Sequence, residues 1–231
     1  MKICGIILSG GVGSRMGLDV PKQYVEVCGR PVISYCLETI AGDPRMAGLV
    51  VAVAPAWRPF VESVVSGQGI DVPVHWSVPG ETRQETIYNA LQVASRHYSD
   101  DDIVMIHDAA RPLVSRRLID ACIDACQGCD GAMPVLPVKD TVYQSMDGKT
   151  ISSLLPRETL YAGQAPEAFR LGKYLRAHES MSREELMTVN GSSELAYKQG
   201  LDMKLIPGEE SNFKITTPED LRRFEQIIRY R

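Results

Sequence analysis

The chain has 231 residues, 44% of them hydrophobic and 23% charged, with a formal net charge of −4. These values are ordinary for one large globular domain with a full core, and they leave no overall pull toward nucleic acid or an anionic membrane. No segment approaches the roughly 20 apolar residues of a membrane helix, and MKICGIILSGG does not read as a signal peptide, so the expected setting is cytoplasmic and the expected partners are small molecules.

In chain order, strand and helix signals alternate. KICGIIL is a short apolar run ending in glycines, the pattern of a buried strand. PVISYCLETIAG has helical spacing and a glycine stop, GLVVAVAP is strand-like and closes on proline, and WRPFVESVVSG reads as a helix. VPVHWSV is a further strand, and ETRQETIYNALQVASRHY is an amphipathic helix. DDIVMIHDAARP is a strand whose apolar run gives way to polar residues at His107 and Asp108. SRRLIDACIDACQG is a helix with Ser115 as its cap. Near residue 131 the pattern turns to extended segments around MDGKT, where Asp147-Gly148 is a hairpin signal. Residues 133–166 are therefore a candidate dimerisation arm on a single domain of residues 1–231. A helix near Ser193 to Gln199, a strand at MKLIPG and a last helix opened by Thr217, Pro218, Glu219 and Asp220 complete the chain.

This order predicts an α/β fold with a doubly wound, mainly parallel sheet and a protruding β-arm. Ligands of such sheets bind beyond the carboxyl ends of the strands. The glycine loop, the PGETRQ turn and HDAARP all lie at such ends and should converge on one crevice.

The loop LSGGVGSRMGLDVPKQY joins three close glycines, Gly10, Gly11 and Gly13, to two cations, Arg15 and Lys22. Bare backbone N–H groups beside cations suit a polyphosphate. Neither familiar phosphate motif fits. The sixth position from Gly11 is Met16, and Leu18 follows Gly17, which disfavours an NAD oxidoreductase and a P-loop ATPase. Asp108, at a strand end beside this loop, is suited to a divalent metal or a substrate hydroxyl, and Arg111 to a second anion. The alternative is that Asp108 and Arg111 pair with each other or cap the next helix. His107 is given no chemistry. Lys214, in SNFKITTPEDL, precedes a helix N-terminus, where a lone lysine is ordinarily solvent-facing. Cys122, Cys126 and Cys129 have no second pair at zinc-ligand spacing, so they are expected to be structural.

The segments GGVGSRMGLDVPKQY, GETRQETIYNAL, HDAARP, PVKDTV, LPRETLY and NFKITTPEDL appear in order over nearly the whole chain. Jointly they resemble the cytidylyltransferases that activate sugar and polyol phosphates, most of all the 2-C-methyl-D-erythritol 4-phosphate cytidylyltransferase family. The resemblance implies a Rossmann-like nucleotidyltransferase fold, a homodimer, CTP as co-substrate and Mg²⁺ as cofactor. Ser9, Gly10, Gly11, Val12, Gly13 and Ser14 would wrap the CTP phosphates, and Arg15 and Lys22 would neutralise charge building there. Gly80 and Thr86, with Arg83 close by, fall where the family reads cytosine and ribose. Asp108 and Arg111 match metal or substrate positions, and Lys214 matches a second catalytic lysine. Thr141 and Arg157 match residues that reach from the arm into the partner subunit's site.

Two segments depart from the family's pattern. A T-D-E/D-A/S segment is replaced by TVNGSSELAY, with its acid lost near Gly191. A Q-T-P-Q segment is replaced by Gln164-Ala165-Pro166-Glu167, in which Ala165 lacks a hydroxyl. Both fall on the acceptor side. Ribitol 5-phosphate, used by a sister group, is the alternative acceptor. A homologue that binds nucleotide without catalysis is the alternative outside enzymes.

Overall fold

The computed structural model describes residues 1–11 and 20–230. In chain order, β1 (Ile3–Leu8) is followed by a 3-10 turn at Lys22–Tyr24, a short hairpin of β2 (Glu26–Val27) and β3 (Arg30–Pro31), and helix α1 (Val32–Ala41). Next come β4 (Met46–Ala52), α2 (Arg58–Gly67), β5 (Val74–Ser77), α3 (Arg83–Ala94), β6 (Ile103–Asp108) and α4 (Arg116–Cys126). Then follow β7 (Gly131–Pro137), β8 (Val142–Gln144), β9 (Ser153–Leu155), β10 (Tyr161–Gly163) and β11 (Glu167–Arg170). The last part holds α5 (Leu171–Glu179), α6 (Arg183–Thr188), α7 (Ser192–Lys198), β12 (Met203–Pro207) and α8 (Pro218–Arg229).

Four strands, in the order β6-β1-β4-β5, pair in parallel and form the core of the main sheet. Beyond β6, β11 runs antiparallel between β6 and β7, and β12 pairs in parallel with β7. Side chains alternate across this sheet, as a strand's period of two requires. Ile3 and Ile7 of β1 and Ile103 and Met105 of β6 join a cluster built with α1, α2 and α4. Cys4, Ile6, Val104 and Ile106 join the opposite cluster, built with α3, α5 and α7. Both faces are thus covered, which is why these strands read as continuous apolar runs. Helix α8 docks separately, with Phe224 against Tyr35 and the β2–β3 hairpin.

The doubly wound expectation holds, and so do the caps. The Ser115 hydroxyl accepts from Leu118 N at 3.0 Å. The Thr217 hydroxyl accepts from Asp220 N, and the Asp220 carboxylate accepts from Thr217 N at 2.8 Å. Cys122 and Cys126 are buried on the inner face of α4, where packing raises the Cys126 thiol to about 12.

The bounds of the arm need correction. The strands at both ends of 133–166 belong to the main sheet, since β7 and β10 pair with each other there. Only residues 138–160 leave it, as an excursion carrying the β8–β9 hairpin. The Asp147-Gly148 pair does sit in that hairpin, but within a longer connection rather than a two-residue turn. The Asp147 carboxylate accepts from Lys149 N and Thr150 N, and Gly148 takes φ +69°. Residues 167–188, unassigned from the pattern, carry β11, α5 and α6.

Candidate active site

Parallel pairing brings the carboxyl ends of the core strands level. Leu8 is opposite both Asp108 and Ala52, and Ala52 is opposite Ser77. The described start of the glycine loop, the PGETRQ turn and HDAARP all leave from these ends. Gly10 packs on Pro79 so closely that a Cβ on Gly10 would overlap the proline ring. Its lack of a side chain therefore serves to join the loop after β1 to the loop after β5.

Ser9 acts as a brace. Its N–H is donated to Ala52 O, its hydroxyl pairs with Tyr24 Oη at 2.7 Å, and its carbonyl accepts from Gln23 Nε2 at 2.8 Å. Gln23 Nε2 also donates to Gly11 O at 2.8 Å. These bonds make Ser9 the fixed start of the loop expected to wrap phosphate. The same 3-10 turn sets Lys22 at the base of the loop, between Pro21 and these two inward side chains. Val12, Gly13, Ser14 and Arg15 lie outside the described residues.

The turn before α3 is built by its own polar side chains. Thr82 caps the helix by accepting from Glu85 N at 3.1 Å. The Thr86 hydroxyl accepts from Gly80 N at 3.0 Å and donates to Thr82 O at 2.8 Å. Thr86 thus shapes the turn, while Arg83, the first residue of the helix, is sent into the crevice.

Asp108 is the centre of charge. Lys214 Nζ lies 3.0 Å from its Oδ2, Arg111 Nε 3.6 Å from the same oxygen, and Arg83 Nη2 3.5 Å from Oδ1. Burial pushes the Asp108 carboxyl up, but these three cations outweigh burial and hold it well below the usual carboxylate range. Asp108 and Arg111 do pair, as the alternative reading allowed, but Asp108 serves two further cations at the same time. Arg111 Nη1 also donates to Asn212 O at 2.8 Å, and Ile215 N donates to Ala110 O at 2.8 Å. These bonds carry the segment before α8, and Lys214 with it, to the end of β6. His107 is fully buried and its Nε2 donates to Arg111 O at 2.9 Å. Burial lowers its pKa to about 4, so it is a neutral brace of the Arg111 turn.

Sequence reasoning missed part of this cluster. Glu167, at the start of β11, is buried with Oε1 3.5 Å from Arg83 Nη2, while its Oε2 accepts from Ser193 N at 2.9 Å and Ser193 Oγ at 2.6 Å. Arg83 Nη1 also donates to Ser192 Oγ. Of the departing segment 164–167, the informative residue is Glu167, not Ala165. Ala165 is buried, and its carbonyl accepts from Asn212 Nδ2 at 2.7 Å. The signal available was an acid where the resembling pattern has glutamine. Among the described residues, no hydrogen bond or ion pair joins Thr141 or Arg157 to this cluster. They are exposed on the 138–160 excursion, where Arg157 Nη1 donates to Lys139 O at 2.9 Å.

Among the described residues no helix is long and apolar enough to cross a membrane. A family model described as IspD, 2-C-methyl-D-erythritol 4-phosphate cytidylyltransferase, matches residues 3–230. A protein of that name from Rubrobacter xylanophilus is 37% identical over 224 residues, covering 96% of this chain and 93% of its own. One from Geobacillus thermodenitrificans is 35% identical over 223 residues, covering 96% and 95%. The crystal structure of 2-C-methyl-D-erythritol 4-phosphate cytidylyltransferase from Thermus thermophilus superposes with a TM-score of 0.77 at 28% identity, covering 97% and 98%.

Proposed function

The chain belongs to the IspD family of 2-C-methyl-D-erythritol 4-phosphate cytidylyltransferases, and on that premise we propose how its crevice transfers the cytidylyl group of CTP to that acceptor. A phosphate oxygen of 2-C-methyl-D-erythritol 4-phosphate attacks the α-phosphorus of CTP in line. The bond from that phosphorus to the bridging oxygen breaks, and pyrophosphate leaves. No covalent enzyme intermediate is required, so the work of the protein is positioning and electrostatic stabilisation.

The observation that carries this reading is Asp108 ringed by Arg83, Lys214 and Arg111, beside the strand end from which the glycine loop departs. Lys214 and Arg111 hold Asp108 in the free protein and turn to phosphate oxygens when the polyanion enters. Lys22 and Arg15 bring two more cations from the loop side. Gly10, Gly11, Val12, Gly13 and Ser14 receive the triphosphate, while Gly80, Arg83 and Thr86 form the turn that receives the nucleoside.

Magnesium suits a site of one ionised carboxylate plus substrate phosphates, and Asp108 is the residue that would hold it. Among the described residues, no group of three or more His, Cys, Asp and Glu side chains could hold a metal unaided. Once bound with substrate, the ion would neutralise charge on the phosphate oxygens. The reading extends to a cytoplasmic homodimer. Six free cysteines support the compartment. Exposed apolar residues on the arm, Tyr143, Met146, Ile151 and Leu154, support the dimer.

The test is pyrophosphate release from CTP and Mg²⁺ with 2-C-methyl-D-erythritol 4-phosphate, run beside ribitol 5-phosphate. Turnover with the first and not the second is expected. Turnover with ribitol 5-phosphate alone, or with neither, overturns the reading.

A further inference from the structure

Arg83 is anchored differently from the other cations of the crevice. Lys214 pairs with Asp108, and Arg111 with Asp108 and a backbone carbonyl. Arg83 is held from three elements. Its Nη1 donates to Ser192 at the start of α7, and its Nη2 lies 3.5 Å from Asp108 of β6 and 3.5 Å from Glu167 of β11. Equal distances mean that the guanidinium is shared between two carboxylates rather than committed to one. Glu167 is tied in turn to the same helix start, through Ser193 N and Ser193 Oγ. Tyr174 closes the group by donating to Ser192 O at 3.1 Å.

We propose that Glu167 is a positioning residue for the transfer site. By sharing Arg83 it limits the hold of Arg83 on Asp108, and it fixes the α7 start, so that Asp108 stays available to Lys214 and the incoming substrates. The two sequence departures are then one linked feature. The carboxylate at Glu167 stands in direct contact with the helix start whose acid is lost near Gly191. Without the Glu167 charge, Arg83 has one carboxylate partner left and closes on Asp108, because a guanidinium buried beside two anions follows the one that remains.

This inference rests on the cytidylyltransferase reading, and its test separates the two. Glu167→Gln keeps an oxygen to accept from Ser193 and removes only the charge. Gly191→Asp returns an acid to the helix start. Gly191 has φ −114° and ψ 148°, which any residue adopts, and a Cβ there meets nothing closer than 3.7 Å. Aspartate is also a favoured residue at that capping position.

The dissociation constant for CTP is measured by calorimetry, alongside kcat, KM and thermal midpoint. Glu167→Gln is expected to weaken CTP binding about tenfold, the size of a contact between coupled charges, with the midpoint nearly kept. Adding Gly191→Asp restores most of that loss. Wild-type affinity in Glu167→Gln overturns the positioning role, and a loss not recovered by Gly191→Asp overturns the linkage. If Glu167→Gln does not fold, Ser193→Ala, which removes one of the two contacts to Oε2, is expected to weaken CTP binding several-fold; no change overturns the role. Absence of turnover in the wild type would sink the functional reading and leave these affinity shifts to judge Glu167.

Discussion

Lys214 donates to a carboxylate that two arginines also hold, so its removal leaves Asp108 paired with Arg83 and Arg111. Lys214→Ala is therefore expected to keep the fold and lower kcat by about 10²–10³, the effect of one electrostatic contact at a reacting centre; kcat with a thermal midpoint checks both halves. The histidines make a separate prediction. Burial lowers both His107 and His178 from 6.5 to about 4. The unfolded chain then binds protons that the native chain refuses, so the histidine contribution to stability is fully present above pH 6.5 and is lost as pH drops toward 4. Each buried histidine contributes about 3 kcal/mol across that window. His178 lies outside the charged cluster, with Nδ1 donating to Tyr174 O at 3.0 Å. His178→Gln should shrink the loss of unfolding free energy between pH 7 and pH 4.5 by about 2 kcal/mol, read from urea melts; an unchanged loss would mean that His178 is not held neutral. Asp108 and Lys214 were legible as residues because each follows or precedes a clear element boundary. Glu167 was not, since a glutamate after proline in an irregular stretch reads as surface until its partners Arg83 and Ser193, far away in sequence, are placed beside it.

At the scale of elements, α8 brings a functional residue to the crevice without touching it. Its Thr217–Asp220 capping box and the packing of Phe224 on Tyr35 fix where the preceding segment runs, and that segment carries Asn212 and Lys214. Thr217→Ala should cost about 1 kcal/mol of stability, seen as a lower denaturant midpoint with an unchanged slope. Its kcat should fall far less than that of Lys214→Ala, because the cap sets the helix start while Ile215 N and Arg111 still tie the segment to β6. A loss of kcat equal to that of Lys214→Ala would count against this division of labour. Elements with strong periodicity or caps, such as α1, α4 and α8, were readable in sequence. The run 167–188 was not. Its strand has four residues and its first helix follows with no intervening turn, so no local punctuation marks either.

At the scale of the whole molecule, Arg157 and Thr141 stand exposed on the 138–160 excursion, where Arg157 bonds to Lys139 of the same excursion. The proposed homodimer gives them a place, in the partner subunit's crevice. Light scattering at working concentration should return twice the 25.5 kDa chain mass. Mixing inactive Arg157→Ala with inactive Lys22→Ala subunits should recover part of the activity, since one of the hybrid's two sites then holds both residues intact. No recovery after demonstrated subunit exchange would refute shared sites. The sequence by itself determined the alternating order of strands and helices, the buried central strands and the placing of Asp108 at a strand end. Those features depend on apolar period and on residues within a few positions of one another, which a linear pattern carries. Only the tertiary structure decided that Gly10 makes room for Pro79, that Ser9 is a brace, and that Glu167 shares Arg83 with Asp108. Such contacts join residues from separate strands and helices, and their partners are chosen by sheet order and register, which no local run of residues specifies.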